Sequence, residues 1–218
     1  MIKHLYFFGD SICVGQGVSI HRGWVTRISE RVSLKYNKPD SQIIVINAAV
    51  NGSTTRQALE RMPYEVQSHS PDVLLIQFGM NDCNIWETDK GHPRVSPKAF
   101  AANLEEIIAR ARIFGAQRVI LNTNHPTGLD QDLMPNAKVT YQEQNEQYNQ
   151  IICKIAKAFG DYVVINDIES AFRETTAGDR KRLLTFLLSD LLHLSEAGHD
   201  LYFSIVWPAI DKVLSELP

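Results

Sequence analysis

The feature that most limits how this chain can fold is a recurrence of short, continuous apolar runs separated by longer segments of helical spacing. The runs cover residues 5–8, 43–49, 73–78, 118–122 and 162–166. Most are unbroken rather than alternating, as strands buried on both faces of a parallel sheet are. Between them, Trp24, Ile28, Val32 and Tyr36 recur four apart. Residues 54–69 follow Ser53, a suitable helix cap. Ser96-Pro97 opens a helix whose inner face is Phe100, Leu104, Ile107, Ile108 and Ala111, and Phe114-Gly115 ends it. A long polar helix is predicted over 141–159, ending at Gly160. Ser195 is predicted to cap a last helix running to 217, bent or interrupted at Pro208. Strands alternating with helices predict an α/β fold in three layers, a mostly parallel sheet between helices, read as one domain over residues 1–218.

Composition bounds the partners. At 218 residues a single core can bury most of the apolar surface, and 44% hydrophobic with 22% charged residues is ordinary for a globular protein. A net charge of -3, without a basic stripe, gives no reason to expect nucleic acid. Cys13, Cys83 and Cys153 are odd in number and in no metal-like pair, which predicts a reduced compartment. Met1-Ile2-Lys3-His4 runs straight into the first strand, without the regions of a signal peptide, so the expected location is cytoplasmic. No apolar run reaches transmembrane length. The seven histidines lack metal spacing such as His-Glu-x-x-His, and neither metal nor cofactor is expected.

Four blocks carry the chemistry. In open α/β sheets ligands bind beyond the carboxyl ends of the strands, and the first three blocks lie there. Gly9-Asp10-Ser11 follows the first run, with Gly15 and Gly17 just beyond. Asn47-Ala48-Ala49-Val50-Asn51-Gly52-Ser53 follows the second, and Gly52 can offer an unhindered backbone N–H. Gly79-Met80-Asn81-Asp82 follows the third. An Asn81 amide would donate to a transient oxyanion without carrying charge. Asp190-Leu191-Leu192-His193 comes late, spaced so that carboxylate and imidazole point the same way in a helical turn. Such a pair can take a serine proton and return it. Alone, each block also reads as an ordinary turn or a surface ion pair.

Taken together and in this order, the four blocks resemble the SGNH-hydrolase, or GDSL-type esterase and lipase, family, from Gly9 to Gly198. The resemblance implies a flavodoxin-like sheet of five parallel strands in the order 2-1-3-4-5. It implies Ser11 as nucleophile, His193 as base and Asp190 as its partner. Ser11, Gly52 and Asn81 would form the oxyanion hole, with no cofactor. Two departures stand out. Ile12 replaces the leucine of Gly-Asp-Ser-Leu, and Leu191-Leu192 stands where a glycine and one other residue are common, making that loop bulkier.

The expected activity is hydrolysis of a small-molecule carboxylic ester through an acyl-enzyme on Ser11. A thioesterase, lysophospholipase or acyl transferase would use the same residues. Long connections at 81–95 and 124–140 leave the strand ends where substrate would lie. Trp86 and His125 are the candidate substrate contacts, with His92 and Arg94 nearby. The polar content of these loops, and their scattered apolar residues Ile85, Leu129, Leu133 and Met134, predict a short acyl group on a polar alcohol or carbohydrate. The rival is a non-catalytic flavodoxin-like binding module. A phospho-receiver would need a lysine after the fifth strand, where Asn166-Asp167-Ile168-Glu169 stands. An FMN site would need a richer phosphate loop than residues 11–17 offer.

Overall fold

A computed structural model describes residues 2–217; Met1 and Pro218 lie outside the described residues. In chain order the elements are β1 (Ile2–Gly9), α1 (Ser11–Val14), α2 (Trp24–Tyr36), β2 (Gln42–Asn47), α3 (Thr55–Glu65), β3 (Val73–Gln77), α4 (Met80–Cys83), α5 (Pro97–Ile113), β4 (Arg118–Asn122), α6 (Tyr141–Ala158), β5 (Val163–Asn166), α7 (Ile168–Thr176), α8 (Arg180–Thr185) and α9 (Glu196–Ser215). The strands form one parallel sheet in the order 2-1-3-4-5, as the family resemblance implied.

Each face of the sheet is covered for the same reason: neighbouring residues of a strand point to opposite sides. Phe7 packs edge-on against Trp24 of α2, with ring centroids 5.3 Å apart, and Trp24 meets Tyr202 of α9 at 4.7 Å. Phe8 turns the other way, to Phe78 at 5.3 Å and under the guanidinium of Arg61 from α3. Helices α3, α5 and α6 pack in sequence, and α2, α9 and α7 likewise. The inner strand β3 is buried throughout, as its unbroken apolar run predicts. The edge strands are not: Ile44 of β2 and Ile165 of β5 are each 41% exposed.

Three local expectations are corrected. The cap of α3 is Thr54, not Ser53, because Thr54 pairs with Gln57 in a capping box. The helix then stops at Glu65, and a separate 3-10 turn, Gln67–His69, follows. Helix α9, capped by Ser195, runs unbroken through Pro208 to Ser215. Residues 168–185 hold two helices, α7 and α8, that the apolar pattern had not marked.

One glycine fixes the approach to α9. A Cβ on Gly198 would stand 2.0 Å from the Phe186 carbonyl oxygen, which accepts a hydrogen bond from Ser195 N at 2.9 Å. Together with the Leu187–Leu194 bridge, this contact closes the base of the loop that carries residues 190–193. Glycine to alanine inside a helix ordinarily stabilises by about 1 kcal/mol. Here Gly198→Ala should do the opposite, since overpacking costs about 1–3 kcal/mol. Thermal melts should fall by roughly 2–10 °C for a chain of this size; an unchanged or higher Tm would contradict the close approach.

Candidate active site

Strand order explains the assembly. Because β1 lies between β2 and β3, whatever follows β1 is flanked by the loops that follow its neighbours. Ser11 is the first residue of α1, and α1 starts at once because Asp10 caps it, accepting from Ile12 N at 3.0 Å. Gly9 leaves room for this tight turn: a Cβ there would meet Cys13 Sγ at 2.6 Å. On one side, Val50 N donates to the Gly9 carbonyl at 3.1 Å and Asn47 Nδ2 donates to the Cys13 carbonyl at 3.0 Å, which brings the Gly52 loop alongside. On the other, Asn81 lies in α4 directly after β3, and its Nδ2 donates to Asp10 Oδ2 at 3.3 Å.

The fourth block comes from the far end of the chain. His193 Nε2 lies 2.9 Å from Ser11 Oγ, and His193 Nδ1 lies 2.6 Å from Asp190 Oδ2. Asp190 Oδ1 also accepts the backbone N–H groups of Leu192, at 3.0 Å, and of His193, at 2.9 Å. Partial burial would raise the Asp190 carboxyl. The hydrogen bonds from the His193 ring and these two N–H groups outweigh it and hold the carboxyl below its ordinary value. An ionised Asp190 keeps the ring proton on Nδ1 and leaves Nε2 free to accept the Ser11 O–H. The bulky Leu191-Leu192 pair is accommodated with Leu191 in the left-handed region, φ +61°, its carbonyl accepting from Gly128 N at 2.8 Å.

The two candidate substrate contacts part company. Trp86 is half exposed, with the Arg94 guanidinium 4.2 Å from its ring centroid. His125 is fully buried between Phe172 and Tyr202, and its Nε2–H donates to the Leu192 carbonyl at 2.9 Å. Burial lowers its pKa to about 4 and keeps the ring neutral. His125 therefore does not face the cleft; it props the loop that carries His193. Burial likewise lowers His199 to about 4; its Nδ1 accepts Trp24 N at 3.3 Å. Among the described residues, no group of three or more His, Cys, Asp or Glu side chains is gathered as metal ligands would be.

Other residues at the site were not marked by any motif. Arg61 donates to the carbonyls of Gly9, at 3.1 Å, and Ala48, tying the ends of β1 and β2 together. Asp82 is buried and accepts both the N–H, at 2.9 Å, and the hydroxyl of Thr55. Ile85, Leu129, Leu133, Met134, Tyr141 and Leu191, far apart in sequence, line one pocket of about 260 Å³. The pocket adjoins the blocks carrying Asn81 and His193; Asn84, Gln131, Asp132 and Arg180 also line it, so apolar residues scattered along the loops gather in space among polar ones.

Asp10 has a consequence for stability. Burial pushes its carboxyl up to about 7, against the Ile12 N–H that favours the charged form, with Asp82 nearby adding to the rise. An unfolded aspartate titrates near 4. Between about pH 4 and 7 the folded chain therefore holds a proton that the unfolded chain has lost, so this contribution to stability, complete below about pH 4, falls as pH rises and is gone above about 7. Asp10→Asn removes it. Urea melts of wild type and variant at pH 5 and pH 8 should show the stability difference moving in the variant's favour at pH 8. A constant difference, or one moving the other way, would contradict the buried, protonatable carboxyl.

Residues 7–201 match the model of the GDSL-like lipase/acylhydrolase family. An arylesterase of Vibrio mimicus is 30% identical over 124 residues, 57% of this chain and 56% of that protein. The human isoamyl acetate-hydrolyzing esterase 1 homolog is 28% identical over 98% of this chain and 84% of its own length. Among solved structures, the acetylxylan esterase Axe2 of Geobacillus stearothermophilus has a TM-score of 0.74 at 22% identity, covering 94% of this chain and 92% of that one, and shares the fold. With its family model spanning almost all of the described residues, the chain belongs to the GDSL-like lipase/acylhydrolase family.

Proposed function

We propose that the whole chain, acting as one domain, hydrolyses carboxylic esters through an acyl-enzyme on Ser11. The observation that carries this reading is the contact line from Ser11 Oγ to His193 Nε2, at 2.9 Å, and from His193 Nδ1 to Asp190 Oδ2, at 2.6 Å. It supplies a nucleophile, a base and a group that orients the base. Ser11 Oγ attacks the ester carbonyl while its proton passes to His193 Nε2. The carbonyl oxygen becomes an oxyanion, held by the N–H groups of Ser11 and Gly52 and by the Asn81 amide. The intermediate collapses, the ester C–O bond breaks, and the imidazolium gives its proton to the departing alkoxide. Water then adds to the acyl carbon as His193 takes its proton. Collapse releases the acid and returns the proton to Ser11.

For the substrate we propose a short acyl group, such as acetyl, on a polar alcohol or carbohydrate. The polar side chains of the two long loops and the exposed ring of Trp86 suit hydroxyls and a sugar face. The acyl half has a second support: the human relative, similar along nearly the whole chain, is named for hydrolysing an acetate ester. The apolar pocket of about 260 Å³ favours a second reading, in which a longer acyl chain lies between Ile85, Leu129 and Met134, as a thioesterase or lysophospholipase would require.

Both parts are open to test with p-nitrophenyl esters from acetate to palmitate. Ser11→Ala should lose about 10⁴-fold or more in kcat on the best ester while keeping its melting temperature; near-normal turnover by that variant would remove the serine mechanism. For the wild type, kcat/KM should peak at acetate or butyrate. A peak at octanoate or longer would replace the short-acyl reading with the second one and leave the mechanism intact.

A further inference from the structure

Arg94 lies outside every block that carries the proposed chemistry, yet it reaches two of them. Its Nη1 donates to the Gly52 carbonyl at 3.2 Å and makes a long contact, 3.5 Å, with Asn81 Oδ1. The guanidinium is not a loose surface group. Its face is covered by Trp86, 4.2 Å from the ring centroid. The backbone beneath it is pinned to the end of α4, by Arg94 N to the carbonyl of Asn84, just past the helix, at 2.9 Å and by Val95 N to the Asp82 carbonyl at 3.1 Å. The Val95 carbonyl in turn accepts the buried Tyr148 hydroxyl. The loop after α4 thus leaves and comes back to deliver one cation to a fixed point between Gly52 and Asn81.

What that cation touches decides what it can do. One acceptor is the oxygen of the Asn81 carboxamide, the group whose N–H is a proposed oxyanion donor, and the other is the carbonyl of Gly52, the residue that carries the other proposed donor. The Asn81 carboxamide is held at both ends, its Nδ2 by the Asp10 carboxylate and its oxygen by the guanidinium. An acceptor at its nitrogen and a cation at its oxygen fix which way round the amide lies. Without them an asparagine can exchange its O and N by a half-turn, and that would aim an acceptor at the developing negative charge. Gly52 is exposed and carries no side chain to hold it, so a hydrogen bond to its carbonyl anchors the residue one peptide beyond its N–H. A positive charge on the carboxamide oxygen also strengthens the Asn81 N–H as a donor as the oxyanion forms.

We propose that Arg94 is a positioning residue: it orients the Gly52 and Asn81 groups toward the oxyanion and does not itself contact substrate. This rests on the reading of Gly52 and Asn81 as oxyanion donors. Misplacing a reacting or stabilising group by about 1 Å can cost about 10²-fold in rate.

The test is a kinetic cycle on a short p-nitrophenyl ester with Arg94→Met, Arg94→Lys, Asn81→Ala and the double variant Arg94→Met with Asn81→Ala. Arg94→Met should lower kcat by about 10- to 100-fold with KM within about threefold of wild type. Lysine, which keeps the charge and can reach one oxygen, should restore part of the loss. The double variant should lose less than the product of the two single losses, because both act through one amide. A loss confined to KM would make Arg94 a substrate contact and overturn the proposal. So would an unchanged kcat, or fully multiplicative losses. If Arg94→Met does not fold, Arg94→Gln replaces it in the same cycle. Failure of the underlying reading looks different: Asn81→Ala alone would then keep its kcat.

Discussion

The constraint on which the site depends is the position of the first strand. With β1 between β2 and β3 in a parallel sheet, the turn that leaves β1 has a neighbouring strand end on each side. Ser11 occupies that turn, with the Gly52 loop to one side and Asn81 to the other. No long insertion is needed to gather them; parallel register alone delivers three of the four blocks to one edge. Only Asp190 and His193 must be brought from elsewhere. They arrive on a loop closed at its base by the Leu187–Leu194 bridge and the tight approach of Gly198 to Phe186, and supported from below by His125.

The same edge holds a concentration of buried polar groups. β3, β4 and β5 end in the buried Gln77, Asn122 and Asn166, whose side chains bond to Asn124, to Tyr202 and to Asn122, and β2 ends in the exposed Asn47, which bonds to the Cys13 carbonyl. Buried amides left unpaired would be costly, and paired ones fix geometry. Asp10 is the member with the most at stake. Its carboxylate caps the helix that begins with Ser11 and holds the Asn81 amide, although full burial disfavours its charge. The fold accepts that cost beside Ser11, where Asp10 ties the start of α1 to Asn81.

Much of this was legible in the sequence, for identifiable reasons. Strands buried on both faces leave unbroken apolar runs, so the order of elements could be read directly, as could α5 with its Ser96-Pro97 start. Family blocks with fixed order named the candidate residues that the fold brings to one edge. Other features had no local signature. In Ser53-Thr54-Thr55 three residues could cap a helix, and only the partner Gln57 selects Thr54. Helices α7 and α8 are short: the buried face of α7 is only Ile168, Phe172 and Thr176, and α8 buries no residue fully. His125 sits after a strand like the site blocks do, but its ring turns inward, which only tertiary packing decides. Ile85, Leu129, Leu133 and Met134 are scattered along two loops and meet only in space. A polar residue closing an apolar run, as Gln77 and Asn122 do, is a signal that would have found the buried network.

The central claim is that Ser11 is an activated hydroxyl because His193 and Asp190 meet it from the other end of the chain. It is tested most directly by treating the protein with a fluorophosphonate, which modifies serine only where a base activates it, and mapping the adduct by peptide mass. The account predicts one adduct per chain, on the peptide containing Ser11, formed in step with the loss of esterase activity and absent from His193→Ala. An adduct on another residue, or full activity after Ser11 is modified, would contradict it.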